Sequence, residues 1–301
     1  MSSFNCVQKL GIGTVQFGLN YGISNANGQV AVDEVARILR SAADSGVSVL
    51  DTAAAYGNSE EVLGRTLPED SRFNIVTKVP KIGTETNDVR GFIRSTFERS
   101  LQRLRRKSSL YSLMFHDADD LNSDSADDAY QAVADLKAEG QIRKIGVSAY
   151  TQEQLEAVRK RFDIDLVQVP VNVFDQRLIQ SGYLQDLHNN GIEVHSRSAF
   201  LQGLLLLNPG EVRPHFESVK PVLRHFVQTA KEHRITPLAL ALSFVLNINS
   251  ISAVIAGVTS QKEFLEITDA AQRAQTEPLN VNFLSFRVDD TTILNPSLWR
   301  G

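Results

Sequence analysis

Four polar residues, Asp51, Tyr56, Lys78 and His116, stand where apolar runs give out into loops. VSVLD ends in Asp51, FNIVTK in Lys78 and LYSLMFH in His116, while Tyr56 follows in the loop from Thr52 to Gly57. A free phenol, with a pKa of about 10, is a poor acid at neutral pH. An ammonium beside it favours the phenolate, and a carboxylate holds that ammonium in place. Asp51, Lys78 and Tyr56 read as such a chain, with His116 donating to a carbonyl oxygen as charge develops on it. The set suits protonation of an alkoxide during hydride addition to a carbonyl.

Such residues converge only if their strands share a rim. From Leu10 the chain alternates short β-rich runs with longer helical ones. The strand signals are LGIGT (10–14), VSVLD (47–51), FNIVTK (73–78), LYSLMFH (110–116), IRKIGVS (142–148), IDLVQV (164–169), GIEVHSR (191–197) and ISAVIAG, ending at Gly257. Several are nearly continuous apolar runs, as expected of parallel strands covered by helices. Between them, Val32, Val35, Ala36, Ile38, Leu39 and Ala42 form a helical face that Gly46 terminates, and Gly140 closes another helix. Asn58 and Glu61 have capping-box spacing, Pro221 and Pro237 suit first helical turns, and Thr236 suits an N-cap.

Eight strand signals separated by helices predict an α/β fold, a single (β/α)₈ TIM barrel over residues 1–301. The spacing stretches after Arg197: a long loop from Leu201 to Ser218 and an extra helix precede the last strand. Gly11, Gly13, Gly18 and Gly22 do not match the GxGxxG fingerprint, which argues against a doubly wound sheet.

With 42% hydrophobic and 22% charged residues and a net charge of −4, the chain reads as an ordinary soluble globular protein with no basic field for nucleic acid or anionic lipid. RLRRKS (103–108) is the densest basic run and reads as a helix end. The single cysteine, Cys6, excludes an internal disulfide and fits a reducing cytoplasm. MSSFNCVQKL lacks the apolar stretch of a signal peptide, and LALALSFVL (238–246) is too short to span a bilayer and reads as a buried helix. No metal site is read, and oligomeric state is left open.

LGIGTVQFG from Leu10, DTAAAYGNSEEVLG from Asp51, Thr77–Lys78, His116, GVS at 146–148, VQVPVN from Val167 and RSAFLQGLL from Arg197 together resemble the aldo-keto reductase superfamily, in family order over nearly the whole chain. The resemblance implies NAD(P)H-dependent reduction of an aldehyde or ketone, or the reverse oxidation. Tyr56 would be the general acid, Lys78 and Asp51 would tune it, and His116 would orient the carbonyl. NADP(H) is the cofactor the resemblance favours, with NAD(H) the alternative.

The same resemblance implies a cofactor site. Ser148 and Gln168 would hold the nicotinamide carboxamide, with Ala149 where the family has asparagine. Arg197 stands where an aromatic ring usually stacks on the nicotinamide; its guanidinium could stack too, or meet an anionic substrate. Ser198, Phe200, Gln202 and Gly203 would wrap the pyrophosphate, and Gly13 and Thr14 would border the cofactor at the end of the first strand. Gly257, Thr259, Ser260 and Glu263 would surround the adenosine end. There Thr259, Ser260 and the nearby Lys262 could hold a 2′-phosphate, whereas Glu263 would repel one and suit a free ribose.

Phe17, Tyr21, Tyr150, Phe174 and Trp299 are candidate substrate-pocket residues. The tail ILNPSLWR (293–300) is bulky enough to fold back over the barrel mouth. VHSRSAFLQGLLL resembles a bacterial branch associated with surface-polysaccharide or sugar metabolism, which implies a sugar-derived carbonyl. Two other readings are a Schiff-base lyase using Lys78 and a cofactor-binding regulatory barrel without turnover.

Overall fold

The computed structural model describes residues 6–23, 25, 27–68 and 71–299. Met1 to Asn5 of the N-terminal stretch and Arg300 of the tail lie outside the described residues.

Eight parallel strands close in sequence order into a barrel: β1 (Leu10–Gly13), β2 (Val49–Asp51), β3 (Asn74–Val79), β4 (Leu110–Phe115), β5 (Ile142–Ser148), β6 (Leu166–Pro170), β7 (Glu193–Arg197) and β8 (Ala253–Gly257). The main helices are α1 (Val32–Asp44), α2 (Ser59–Thr66), α3 (Val89–Arg103), α4 (Ala126–Ala138), α5 (Gln152–Arg159), α6 (Tyr183–Asn189), α7 (Lys220–Glu232), α8 (Pro237–Leu246) and α9 (Gln261–Thr276). Each of the eight strand signals is a strand. The second begins two residues later than its apolar pattern, and His116 sits one residue beyond β4, its amide donating to Val79 O at 3.2 Å.

Helix α1 shows how the sequence dictates these elements. Val35, Ile38, Leu39 and Ala42 recur at helical spacing and are buried, and Asp33 and Glu34 occupy the first turn, where the helix dipole favours acids. Fully burying a side chain such as Ile38 contributes about 1.5–3 kcal/mol. Gly46 then takes φ +80°, a left-handed geometry that suits glycine. Thr236 caps α8 by accepting from the Ala239 amide, and Pro237 and Pro221 lie in first turns as expected. The capping box at Asn58 does not form: the Asn58 side chain makes no cap bond and instead accepts from Gln29 Nε2 at 2.7 Å.

Inside the barrel Val49, Val76, Met114, Leu166, Ala253 and Ile255 pack together beneath the C-terminal rim. Gly11 and Gly146 make room for them: a Cβ there would lie 2.6 Å from Ile255 Cδ1 and 2.5 Å from Met114 Cγ. Alternation along β2 and β3 puts Asp51 and Lys78 on the same inward side as Val49 and Val76, one layer higher. The apolar plug is therefore the floor on which the polar residues stand.

A second apolar cluster lies beside the mouth, where Val173, Phe174, Leu201, Leu204, Leu205 and Phe216 meet α7 and the tail residues Ile293 and Leu294. Trp299 donates from Nε1 to Ile293 O at 3.0 Å and meets Phe216 edge-on at 4.8 Å. The tail thus docks on the rim loops after β6 and β7 but no described residue of it lines the central cavity, because its apolar side chains find covered apolar surface to the side. The apolar helix α8 packs against α9. Among the described residues no helix is long and apolar enough to cross a membrane.

Candidate active site

The C-terminal rim encloses a cavity of about 450 Å³ into which Asp51, Tyr56 and His116 project. Lys78 lies behind them, fully buried, and its ammonium has no donor to spare. Nζ gives one bond each to Asp51 Oδ1 (2.7 Å), Asp51 Oδ2 (2.7 Å) and Thr52 O (3.0 Å). Gln168 Nε2 adds a further bond to Asp51 Oδ1 at 2.7 Å. A pair this deep is stable only because its hydrogen-bonding capacity is filled.

Tyr56 reaches this pair from the loop after β2, with Lys78 Nζ 5.0 Å from its ring centroid and the His116 ring edge-on at 5.5 Å. Glycines hold the loop in place. A Cβ on Gly18 would lie 1.9 Å from Tyr56 O, and Gly57, at φ +56°, would bring one to 2.3 Å from Gly18 O. Below, Ser59 Oγ lies 2.8 Å from both Thr14 O and Thr14 Oγ1, and Thr14 Oγ1 donates to Asp51 O at 3.0 Å.

The electrostatics differ from the sequence expectation in one respect. Burial, reinforced by the Asp51 charge, pushes the Tyr56 phenol well above its ordinary value, while Arg197 opposes the shift. The acidification expected from Lys78 is not the net result, because burial and the Asp51 carboxylate that pairs with Lys78 both act upward on the phenol. Burial pushes Lys78 itself down, with Asp51 resisting. Tyr56 is consequently a neutral hydroxyl at pH 7, with a proton to give.

Burial, and next the Lys78 charge, lower the His116 pKa to about 4. The imidazole is neutral at physiological pH. Since the folded state takes up that proton later than the unfolded chain, acidification from 6.5 toward 4 costs the fold stability. Titration of His116 by NMR in the cofactor-free protein is expected to give a midpoint near 4; a midpoint at the ordinary imidazole value would overturn this picture.

The other predicted residues divide clearly. Gly13, Thr14, Ser148, Gln168, Arg197, Ser198, Phe200, Gln202, Gly203, Gly257, Thr259 and Glu263 all line the cavity. Ser260 does not; its hydroxyl accepts from the Glu263 amide at 3.1 Å and caps α9. Gln168 donates to Asp51, so its carbonyl oxygen is the acceptor left to meet a carboxamide N–H. Arg197 lies over the Tyr150 ring, 4.1 Å from Cζ to centroid, and Nη2 donates to Ala149 O at 3.3 Å. Ser198, Leu201 and Gln202 all have positive φ, a strained run for residues other than glycine. Gln202 Nε2 donates to Tyr21 OH at 2.8 Å and its carbonyl accepts from the Ile23 amide at 3.2 Å, tying the loop after β7 to the loop after β1.

At the opposite end Glu263 Oε2 accepts from Thr259 N at 2.7 Å and Thr259 Oγ1 at 2.8 Å, and Glu34 Oε1 accepts from Gln261 N at 2.6 Å. Lys262 points away, 88% exposed and 3.9 Å from Glu266.

Of the substrate-pocket candidates, Tyr21 and Tyr150 line the cavity. Phe17, Phe174 and Trp299 do not: Phe17 is buried in the main core, and Phe174 and Trp299 belong to the cluster beside the mouth. Gln16, Asn25 and Asn27 line it unanticipated. They lie in the polar stretch after β1, where strand-end reasoning looks only at the first residues past the strand.

The model of the Aldo/keto reductase family matches residues 9–278. Aldo-keto reductase YhdN of Bacillus subtilis (strain 168) is 29% identical over 177 residues, 56% of this chain, so that the match spans about half, 52%, of that relative. The NADH-specific methylglyoxal reductase of Escherichia coli (strain K12) is 23% identical over 297 residues, 86% of this chain and 88% of that protein. Among solved structures, the holo form of aldo-keto reductase AKR11C1 from Bacillus halodurans has the same fold, with a TM-score of 0.71 at 21% identity, covering 89% of this chain and 91% of that one. A family match over so much of the barrel identifies the chain as a member of the aldo/keto reductase family.

Proposed function

We propose that this oxidoreductase reduces a small polar aldehyde or ketone, such as a sugar-derived carbonyl, to the alcohol, with Tyr56 as the proton donor. One observation carries the reading: Tyr56 is a neutral phenol at the cavity wall, beside a neutral His116 and backed by a fully satisfied Lys78–Asp51 pair. NAD(P)H supplies the hydride when bound. The chain's own part is to orient the carbonyl oxygen with His116, deliver the Tyr56 proton to it, and stabilise the charge that develops there. Ser148 and Gln168 suit the carboxamide, Gly13, Thr14, Ser198, Phe200, Gln202 and Gly203 the middle of the dinucleotide, and Gly257, Thr259 and Glu263 its adenosine end. The locked ammonium of Lys78 argues against a Schiff base, since its three protons are committed and burial keeps it out of the cavity.

For the cofactor, the geometry moves the reading from NADP(H) to NADH. The Thr259 amide and hydroxyl, which could have held a 2′-phosphate, are already bound to the Glu263 carboxylate, and a second acid, Glu34, occupies the Gln261 amide. Like charge and occupied donors both disfavour a phosphate there. Calorimetric titration is expected to give tighter binding of NADH than of NADPH, and an aldehyde panel followed at the nicotinamide absorbance is expected to show turnover. Binding without any turnover would instead favour a regulatory barrel. Glu263→Arg is expected to shift the NADPH/NADH affinity ratio toward NADPH by roughly 10- to 100-fold, the value of one or two charge-assisted bonds. An unchanged ratio would count against this placement of the adenosine end.

A further inference from the structure

Arg197 carries a charge at the catalytic end of the cavity that no described carboxylate answers. Two other half-buried arginines have carboxylate partners: Arg177 makes two bonds of 2.8 Å to Asp175, and Arg159 reaches Asp186 at 2.7 Å. Around Arg197 the only hydrogen-bonding partner among the described residues is the neutral Ala149 O at 3.3 Å, and the guanidinium carbon lies 4.1 Å from the Tyr150 ring centroid. Its Nε is buried with no partner at all. These contacts fix the cation in position without neutralising it, an arrangement whose desolvation cost calls for an anion.

The position matters as much as the charge. Arg197 lines the same cavity as Tyr56 and His116, and its charge pulls both of their pKa values downward, so it acts within electrostatic reach of the reacting oxygen. Of the acids lining the cavity, Asp51 is spent on Lys78 and Gln168, and Glu263 is bound to Thr259. Hydroxyls and amides from Tyr21, Tyr150, Gln16, Asn25 and Asn27 also line the cavity, and none of them carries a negative charge at neutral pH.

We propose that the carbonyl substrate carries an anionic group, a carboxylate or a phosphate, that pairs with Arg197 while Tyr56 and His116 engage the carbonyl oxygen. A planar guanidinium suits either anion through paired N–H donors. The inference rests on the carbonyl-reductase reading and narrows its substrate class.

The test compares succinic semialdehyde with butanal, and glyceraldehyde 3-phosphate with glyceraldehyde, as substrates with NADH. The wild-type protein is expected to favour the anionic member of at least one pair by tenfold or more in kcat/KM, and the pair that shows it identifies the anion. In Arg197→Met that anionic-to-neutral ratio is expected to fall roughly 100-fold, the scale of losing one partner of a buried charge pair. A merely structural role would lower both members together and leave the ratio alone. Turnover of neutral aldehydes with no preference for either anion overturns the inference and leaves the reductase reading standing. A loss of NADH affinity by calorimetry with an unchanged substrate ratio also overturns it, assigning Arg197 to the cofactor diphosphate. NADH binding without reduction of any of the four refutes the reductase reading, and the inference with it.

Discussion

Replacing Tyr56 by phenylalanine is expected to lower kcat for carbonyl reduction by about three orders of magnitude, within the range that one positioned general acid contributes. The substitution removes a single oxygen and leaves the ring in its edge-on contact with His116. It should therefore change neither the loop set by Gly18 and Gly57 nor the binding of NADH, which is the control for intact architecture. The size of the loss follows from the shortage of substitutes. Lys78 has no free proton, and His116 is neutral and already assigned to the carbonyl oxygen. The effect should persist across neutral pH, because the phenol it replaces is protonated throughout that range. Turnover of Tyr56→Phe within tenfold of wild type would remove Tyr56 from the mechanism.

The strand ends were legible in the sequence because a barrel strand announces itself as an apolar run, and a titratable residue terminating such a run has only the rim to occupy. Asp51, Lys78 and His116 each satisfy that rule, and Tyr56 is carried along by proximity. What could not be read are contacts between loops distant in sequence. Gln168 meets Asp51 across 117 residues, and nothing local in either segment signals the bond. Gln29 takes the Asn58 side chain away from the helix it was spaced to cap. Gly18 looks like any glycine after a strand until Tyr56 O is found where its side chain would be.

The acidity of Tyr56 was misjudged for a related reason. The sequence places an ammonium near a phenol but does not show how deeply the phenol is buried or that the Asp51 charge acts on it as well. Glu263 was legible only as an acid at the adenosine end; that its carboxylate takes both Thr259 donors, which the sequence offered to a phosphate, emerges from the structure.

Lys78→Met tests whether the buried pair is a support or an active participant, and the expected result is a large loss of both stability and activity. Methionine fills similar volume but leaves Asp51, 4% exposed, with Gln168 as its only remaining side-chain donor. Removing one member of a buried ion pair costs about 3–5 kcal/mol, because the surviving charge is stranded. Pairing the change with Asp51→Asn should recover most of that stability in chemical denaturation, since a neutral side chain no longer needs the cation. Activity should not recover with it. His116 supplies a readout independent of folding: Lys78 helps hold its pKa down to about 4 while Asp51 pulls upward, so the single variant should raise the His116 midpoint and the double variant should bring it back toward the wild-type value. A Lys78→Met protein as stable as wild type, with His116 still titrating near 4, would mean that Asp51 is not charged by its partner in the way the hydrogen bonds imply. The pair's part in catalysis would then have to be assigned to shape alone.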